Sequence, residues 1–263
     1  GSDSLEHATT LLWTLRNPID RIVSWFHYMN PANCRPQEDY YSTACNTNRT
    51  IIATTNSLKN KKRSKWPMKF FGCFPTLNHF ADALVPGDKE SSSCSQIAWR
   101  TIAGTASTSS GHAYYNYRYY WNETIAKYPK KEVWVLRTET LWDDMAIVEE
   151  ILSPSNTVAA VPSSHPLLMK RNVTHGSEGH VQRDRLSTRG LARLCCALQE
   201  EITIYSAILQ QATNLKVQER KKPILFLRDQ CLSAMNASAN NRPEMDMPCP
   251  IFPSINGTPY LQS

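Results

Sequence analysis

Residues 10–28 read TLLWTLRNPIDRIVSWFHY, and their periodicity changes at Arg16. Before it, Thr10 to Leu15 is apolar and partly β-branched without a break, the pattern of a buried strand in a parallel sheet. After it, Ile19, Ile22, Val23 and Phe26 recur at i, i+3, i+4 and i+7, one stripe of an amphipathic helix. Asn17 suits the N-cap. Pro18 suits the first helical position, where its missing N–H costs nothing. Strand, turn and helix in this order put Arg16 at the carboxyl end of the strand, where open α/β sheets bind ligands. Ser24 lies off the apolar stripe with Asp20, Arg21 and Tyr28, so it flanks the same crevice. A guanidinium offers a planar fork of donors and a hydroxyl adds one more, a set that suits a phosphate. The same pattern also describes a solvated strand end or an ion pair.

A second strand is expected over Glu132 to Leu136, followed by RTETLWDD and a helical run from Met145 to Leu152. Asp143 and Asp144 at the helix start are accounted for by capping and the helix dipole, and Glu139 reads as structural.

The segment Arg16-Asn17-Pro18-Ile19-Asp20-Arg21-Ile22-Val23-Ser24-Trp25-Phe26 resembles the 3′-phosphate-binding segment of sulfotransferases that use 3′-phosphoadenosine 5′-phosphosulfate (PAPS). The resemblance implies an α/β fold, a parallel sheet flanked by helices of the P-loop-nucleotide-kinase-like sulfotransferase type. It assigns the 3′-phosphate to Arg16 and Ser24. Thr138-Glu139-Thr140-Leu141 is similar to the family's later Tyr-Glu-x-Leu turn, without its aromatic. Lys170-Arg171, after Leu167-Leu168-Met169, resembles the basic segment that Golgi carbohydrate sulfotransferases bring to the nucleotide. The activity so implied is sulfuryl transfer from PAPS to a hydroxyl, of a carbohydrate or another acceptor, with no metal and no nucleic-acid partner. The family's glycine-containing loop, with its Lys, holds the 5′-phosphosulfate and comes before the Arg/Ser segment. GSDSLEHA contains neither Lys nor strand, so the chain is expected to be truncated at its N-terminus and to lack the catalytic base. A glycan-binding or pseudoenzyme module that keeps the fold without the chemistry is the alternative, and a secreted structural domain is a third reading.

Composition agrees with one α/β domain. The chain has 263 residues, 41% hydrophobic and 20% charged, and a formal charge of +6 that favours anionic ligands without naming one. Eight cysteines (34, 45, 73, 94, 195, 196, 231, 249) show no CxxC spacing, so disulfides are expected over zinc. Cys73 with Cys94, and one of Cys195 or Cys196, are the expected participants. Five Asn-x-Ser/Thr sequons, at Asn48, Asn122, Asn172, Asn236 and Asn256, point with the cysteines to the secretory lumen, which the resemblance narrows to the Golgi. No stretch approaches the ~20 apolar residues of a membrane span, so a membrane is reached only through an anchor outside this chain.

Further helices are expected over 77–84, 96–103, 112–127 and 187–213, the last capped by Ser187 or Thr188. The Tyr114, Tyr117, Trp121, Ile125 stripe reads as core. Residues 30–66, 104–111 and 153–185 read as loops, the first containing the basic run Lys59 to Lys65 as a solvated segment. The organisation expected is a sulfotransferase-like domain over 1–222 and a peripheral Pro/Asn-rich tail over 223–263, because Pro, Asn and Met cluster after Pro223.

Overall fold

The computed structural model describes residues 7–30, 66–85, 92–103, 116–153 and 185–241. The two expected strands form and pair: β1 (Thr10–Leu15) lies parallel to β2 (Glu132–Arg137), in register from Thr10↔Glu132 to Leu15↔Arg137. The far edge of β2 is closed by the chain near Ala212. Thr213 N–H donates to the Val133 C=O at 2.8 Å. Asn214 imitates a strand residue, its Oδ1 accepting from Val135 N–H at 2.8 Å and its Nδ2 donating to Val135 C=O at 3.0 Å. β1 differs from the expectation of a strand covered on both faces. Leu11, Trp13 and Leu15 are buried, whereas Leu12 on the opposite face is 56% exposed.

Helix α1 (Pro18–Met29) starts as its sequence requires, with Asn17 Oδ1 accepting from Ile19 N–H at 2.9 Å and Pro18 in the first turn. Its buried arc is wider than the four-residue stripe, because Trp25 joins Ile19, Ile22 and Phe26. Those aromatics meet Phe70 of α2 (Trp66–Cys73) and Phe80 of α3 (Leu77–Asp82), with Trp25 and Phe70 edge-to-face at 5.4 Å. The Cys73–Cys94 disulfide ties α2 to α4 (Ser93–Ile102).

The tyrosine-rich segment is helical from Tyr117, as α5 (Tyr117–Tyr120) followed by a wide π-type turn over Trp121–Ile125. Tyr117, Trp121 and Ile125 are buried, so the expected core stripe holds for the described part of it. After β2 a short 3₁₀ turn, Thr138–Thr140, leads into α6 (Leu141–Leu152).

One long helix was expected over 187–213, and the structure has two. α7 (Thr188–Ala197), capped by Ser187, ends at the buried Leu198, and α8 (Gln199–Gln211) starts with Glu200 and Glu201 in its first turn. α7 packs on α3 and on the last helix, and α8 packs on β2, on α5 and on the last helix.

The boundary expected at residue 222 falls within a helix. α9 (Val217–Asn241) runs through Pro223, burying Ile224, Leu227, Cys231 and Ala234 at helical spacing, and Cys195–Cys231 bonds it to α7. A proline inside a helix removes the hydrogen bond to the carbonyl four residues earlier, and its ring crowds that carbonyl. Here that carbonyl belongs to Glu219, and it accepts from Arg137 NH1 at 2.9 Å. Ile224, Leu227 and Cys231 therefore belong to the core, and 242–263 lie outside the described residues.

Candidate functional site

Parallel pairing brings the carboxyl ends of β1 and β2 side by side, so the turn at Arg16-Asn17 abuts the turn at Thr138-Glu139. The backbone of the first turn is held from two distant places. Tyr117 Oη accepts from Arg16 N–H at 2.8 Å and donates to the Arg16 carbonyl. Glu139 Oε1 accepts from Asn17 N–H at 2.9 Å. Glu139 thus has the structural role expected of it, and it serves the opposite strand's turn.

With its main chain fixed in this way, Arg16 extends an exposed side chain. Among the described residues neither the Arg16 guanidinium nor the half-buried Ser24 hydroxyl makes a hydrogen bond or an ion pair. Arg16 and Asp20 interact electrostatically, and Ser24 follows Asp20 by one helical turn on the same face of α1. The structure therefore leaves unused the two donors that the sequence singled out. Lys170 and Arg171, the other two expected contacts, lie outside the described residues, as do the basic run and the 104–111 loop.

Beneath this surface lies a buried charged network. Arg21 NH2 donates to Glu201 Oε2 at 2.9 Å, both side chains being nearly enclosed. Glu201 also accepts from the backbone N–H groups of Tyr117 (3.1 Å) and Arg118 (3.2 Å), which places a carboxylate at the N-terminus of α5, where the helix dipole favours it. The Arg21 guanidinium lies over the Tyr117 ring, 5.3 Å from its centroid, and Tyr205 stacks on the same ring at 5.9 Å. Arg21 and Tyr205 thereby hold the ring whose hydroxyl fixes the Arg16 backbone.

Burial sets the protonation of this network. It pushes the Tyr117 phenol up to about 12, so the hydroxyl that holds Arg16 keeps its proton at neutral pH. Burial is also the main cause of the rise at Glu201, with Arg21 and the two N–H donors opposing it. Asp20 is raised by the crowding of its carboxyl; Arg16 opposes the shift, and the nearby Glu139 carboxylate adds to it.

β2 ends in a second buried pair. Asp144 is completely enclosed and accepts from Arg137 at its backbone N–H (2.6 Å), its Nε (2.9 Å) and its NH2 (2.5 Å). The role expected of Asp144, capping α6, is replaced by this one, because a buried guanidinium at the end of β2 offers stronger donors than free helix N–H groups.

Sequence reasoning missed Tyr117, Glu201 and the Arg137–Asp144 pair as parts of the site. The Tyr117 hydroxyl acts on a residue 101 positions away, and its own neighbourhood shows only an apolar stripe. Among the described residues no cluster of His, Cys, Asp and Glu has the arrangement of a metal site. Scanned against protein-family models, curated proteins and solved structures, the chain matches none.

Proposed function

We propose that this chain holds the 3′ end of the nucleotide in a PAPS-dependent sulfotransferase, an enzyme of P-loop-like α/β fold that transfers a sulfuryl group to a carbohydrate hydroxyl in the Golgi lumen. One observation carries the reading: Arg16, at the carboxyl end of a parallel strand, and Ser24, on the following helix, keep donors that nothing else among the described residues uses.

A terminal phosphate has only acceptors to offer, and these two side chains supply only what it lacks. Asp20 stands against an anion at this position. Its raised pKa lowers the cost of protonating it when one arrives. PAPS supplies the activated sulfuryl group. The task of Arg16 and Ser24 is then orientation: they fix the far end of the nucleotide and convert binding energy into alignment of a sulfur they do not touch. Tyr117 and Glu139 fix the backbone from which Arg16 projects. Lys170 and Arg171 are proposed as additional nucleotide contacts.

Calorimetric titration of the full-length protein with 3′,5′-adenosine bisphosphate and with adenosine 5′-monophosphate tests the reading. The bisphosphate should bind more tightly, and Arg16→Ala should remove most of the difference, roughly ten- to a hundredfold, since a charge-assisted hydrogen bond contributes about 1.5–3 kcal/mol. Equal affinities in folded wild type would sink it. A second reading, a glycan-binding module without catalysis, is favoured by the carboxylates of Asp20 and Glu139 beside Arg16, which suit sugar hydroxyls better than a dianion. It requires glycan binding that neither nucleotide competes away.

A further inference from the structure

We infer that the Tyr205 hydroxyl is a ligand contact of this site, and that with Glu139 it takes the ribose 2′-hydroxyl of the nucleotide whose 3′-phosphate Arg16 and Ser24 hold. The inference rests on the nucleotide reading proposed above and adds a group that the phosphate contacts do not read.

Tyr205 lies in the middle of α8, the helix that packs on β2 and on α5, and it is 1% exposed. Its ring is placed by stacking on Tyr117, with centroids 5.9 Å apart and planes 30° apart, and the hydroxyl of that partner ring holds the Arg16 backbone. Buried tyrosines usually end on a hydrogen-bond partner, as Tyr117 does. The Tyr205 hydroxyl has none among the described residues. Its electrostatic neighbours fix where it points: the Glu139 carboxylate foremost, then the Tyr117 hydroxyl, Arg137 and Asp20. All four stand at the carboxyl ends of the strands or at the starts of the helices beside them, so the hydroxyl is directed at the strand ends.

Two of these neighbours are committed elsewhere. Tyr117 Oη is engaged with Arg16, and the Arg137 guanidinium with Asp144 and the Glu219 carbonyl. Glu139 is only half used: Oε1 accepts from Asn17 N–H, and Oε2 has no partner among the described residues. Burial raises the Tyr205 phenol above its ordinary value and Glu139 adds to the rise, so the hydroxyl keeps its proton and acts as a donor. A buried donor and an unused carboxylate oxygen at the same strand ends call for a group that accepts from one and donates to the other. A phosphate oxygen only accepts, and the carboxylates of Asp20 and Glu139 disfavour a second anion; a hydroxyl does both. In a 3′-phosphorylated nucleotide the hydroxyl nearest the phosphate is the 2′-hydroxyl, on the adjoining ribose carbon.

The test titrates adenosine 3′,5′-bisphosphate and its 2′-deoxy analogue calorimetrically against full-length wild type and Tyr205→Phe, a variant that keeps the stacked ring and removes only the hydroxyl. Wild type should bind the ribose form more tightly than the deoxy form. Tyr205→Phe should weaken the ribose form roughly two- to tenfold, as expected for one neutral hydrogen bond, and leave the deoxy form unchanged. Its ligand-free unfolding midpoint should match or exceed that of wild type, because the hydroxyl has no partner to lose. A fall in that midpoint overturns the inference, since the hydroxyl would then be bonded within the fold. A wild type that binds the two forms equally, or a variant that weakens both alike, also overturns it and leaves the nucleotide reading standing. Equal binding of the bisphosphate and adenosine 5′-monophosphate to wild type removes that reading and the inference with it.

Discussion

The phenol oxygen of Tyr117 sits between the two backbone polar groups of Arg16, accepting from its N–H at 2.8 Å and donating to its carbonyl. One hydroxyl thus does for the end of β1 what a neighbouring strand does along its length. Tyr117→Phe should destabilise the protein by about 1–3 kcal/mol, because it leaves two partly buried backbone groups without partners and keeps the ring. If Arg16 holds a phosphate, the same substitution should also weaken 3′,5′-adenosine bisphosphate. Denaturant unfolding and titration on one preparation read both; unchanged stability would mean that the hydroxyl does not hold the turn.

Ser24→Ala should weaken that nucleotide less than Arg16→Ala, since it deletes one neutral donor while the guanidinium stays. Arg16→Lys should restore little, because an ammonium lacks the planar fork. Full rescue by Lys would show that the site needs charge alone.

Removing one partner of the buried Arg137–Asp144 pair should be costly. Asp144→Ala leaves a nearly enclosed guanidinium without its carboxylate and is expected to cost about 3–5 kcal/mol, read as a fall in the unfolding midpoint. A loss under about 1 kcal/mol, typical of an exposed pair, would contradict the geometry.

Glu201 gives stability a defined pH dependence. Burial raises its pKa in the folded protein above the usual 4.5, so the folded state binds more protons than the unfolded state between that value and the folded pKa. Its contribution is complete below about 4.5 and is lost as pH rises through the folded pKa. The stability difference between wild type and Glu201→Gln, measured by denaturant unfolding across this range, should therefore shrink with rising pH. A difference that grew would mean that the Arg21 pairing outweighs burial.

The Cys195–Cys231 bond closes a loop of 36 residues, for which chain entropy predicts a loss of about 4 kcal/mol in the Cys195→Ala, Cys231→Ala double variant. Protease should then cut first within α9. Cleavage elsewhere, with α9 intact, would show that the helix is held by packing alone.

Much of the architecture was legible because it is written locally. The change from unbroken apolar residues to a 3.6 period at Arg16, the Asn17 cap and the proline after it fixed a strand, a turn and a helix, and the second strand was equally plain. Arg16 and Ser24 could be singled out for the same reason, since both belong to that one stretch. What holds them is not local. Tyr117 and Glu201 act across long separations, and each looks ordinary in its own segment. The break at Leu198 was hidden because the apolar period continues through it. α9 was missed because the Pro, Asn and Met clusters after Pro223 read as a peripheral tail, and they hide the helical period of Ile224, Leu227, Cys231 and Ala234.

The exception at Pro223 also solves an alignment problem. An amphipathic helix held by an apolar stripe can slide along its own axis by about one turn, 5.4 Å, and still bury similar residues. α9 cannot do so without penalty. One carbonyl along it, that of Glu219, lacks its usual donor, and one guanidinium, oriented by Asp144 at the end of β2, reaches it. A displaced α9 would leave that oxygen bare and turn Arg137 towards a carbonyl already engaged. The proline thus works as a notch and the arginine as the pawl that drops into it, so the position of the last helix is indexed against the second strand.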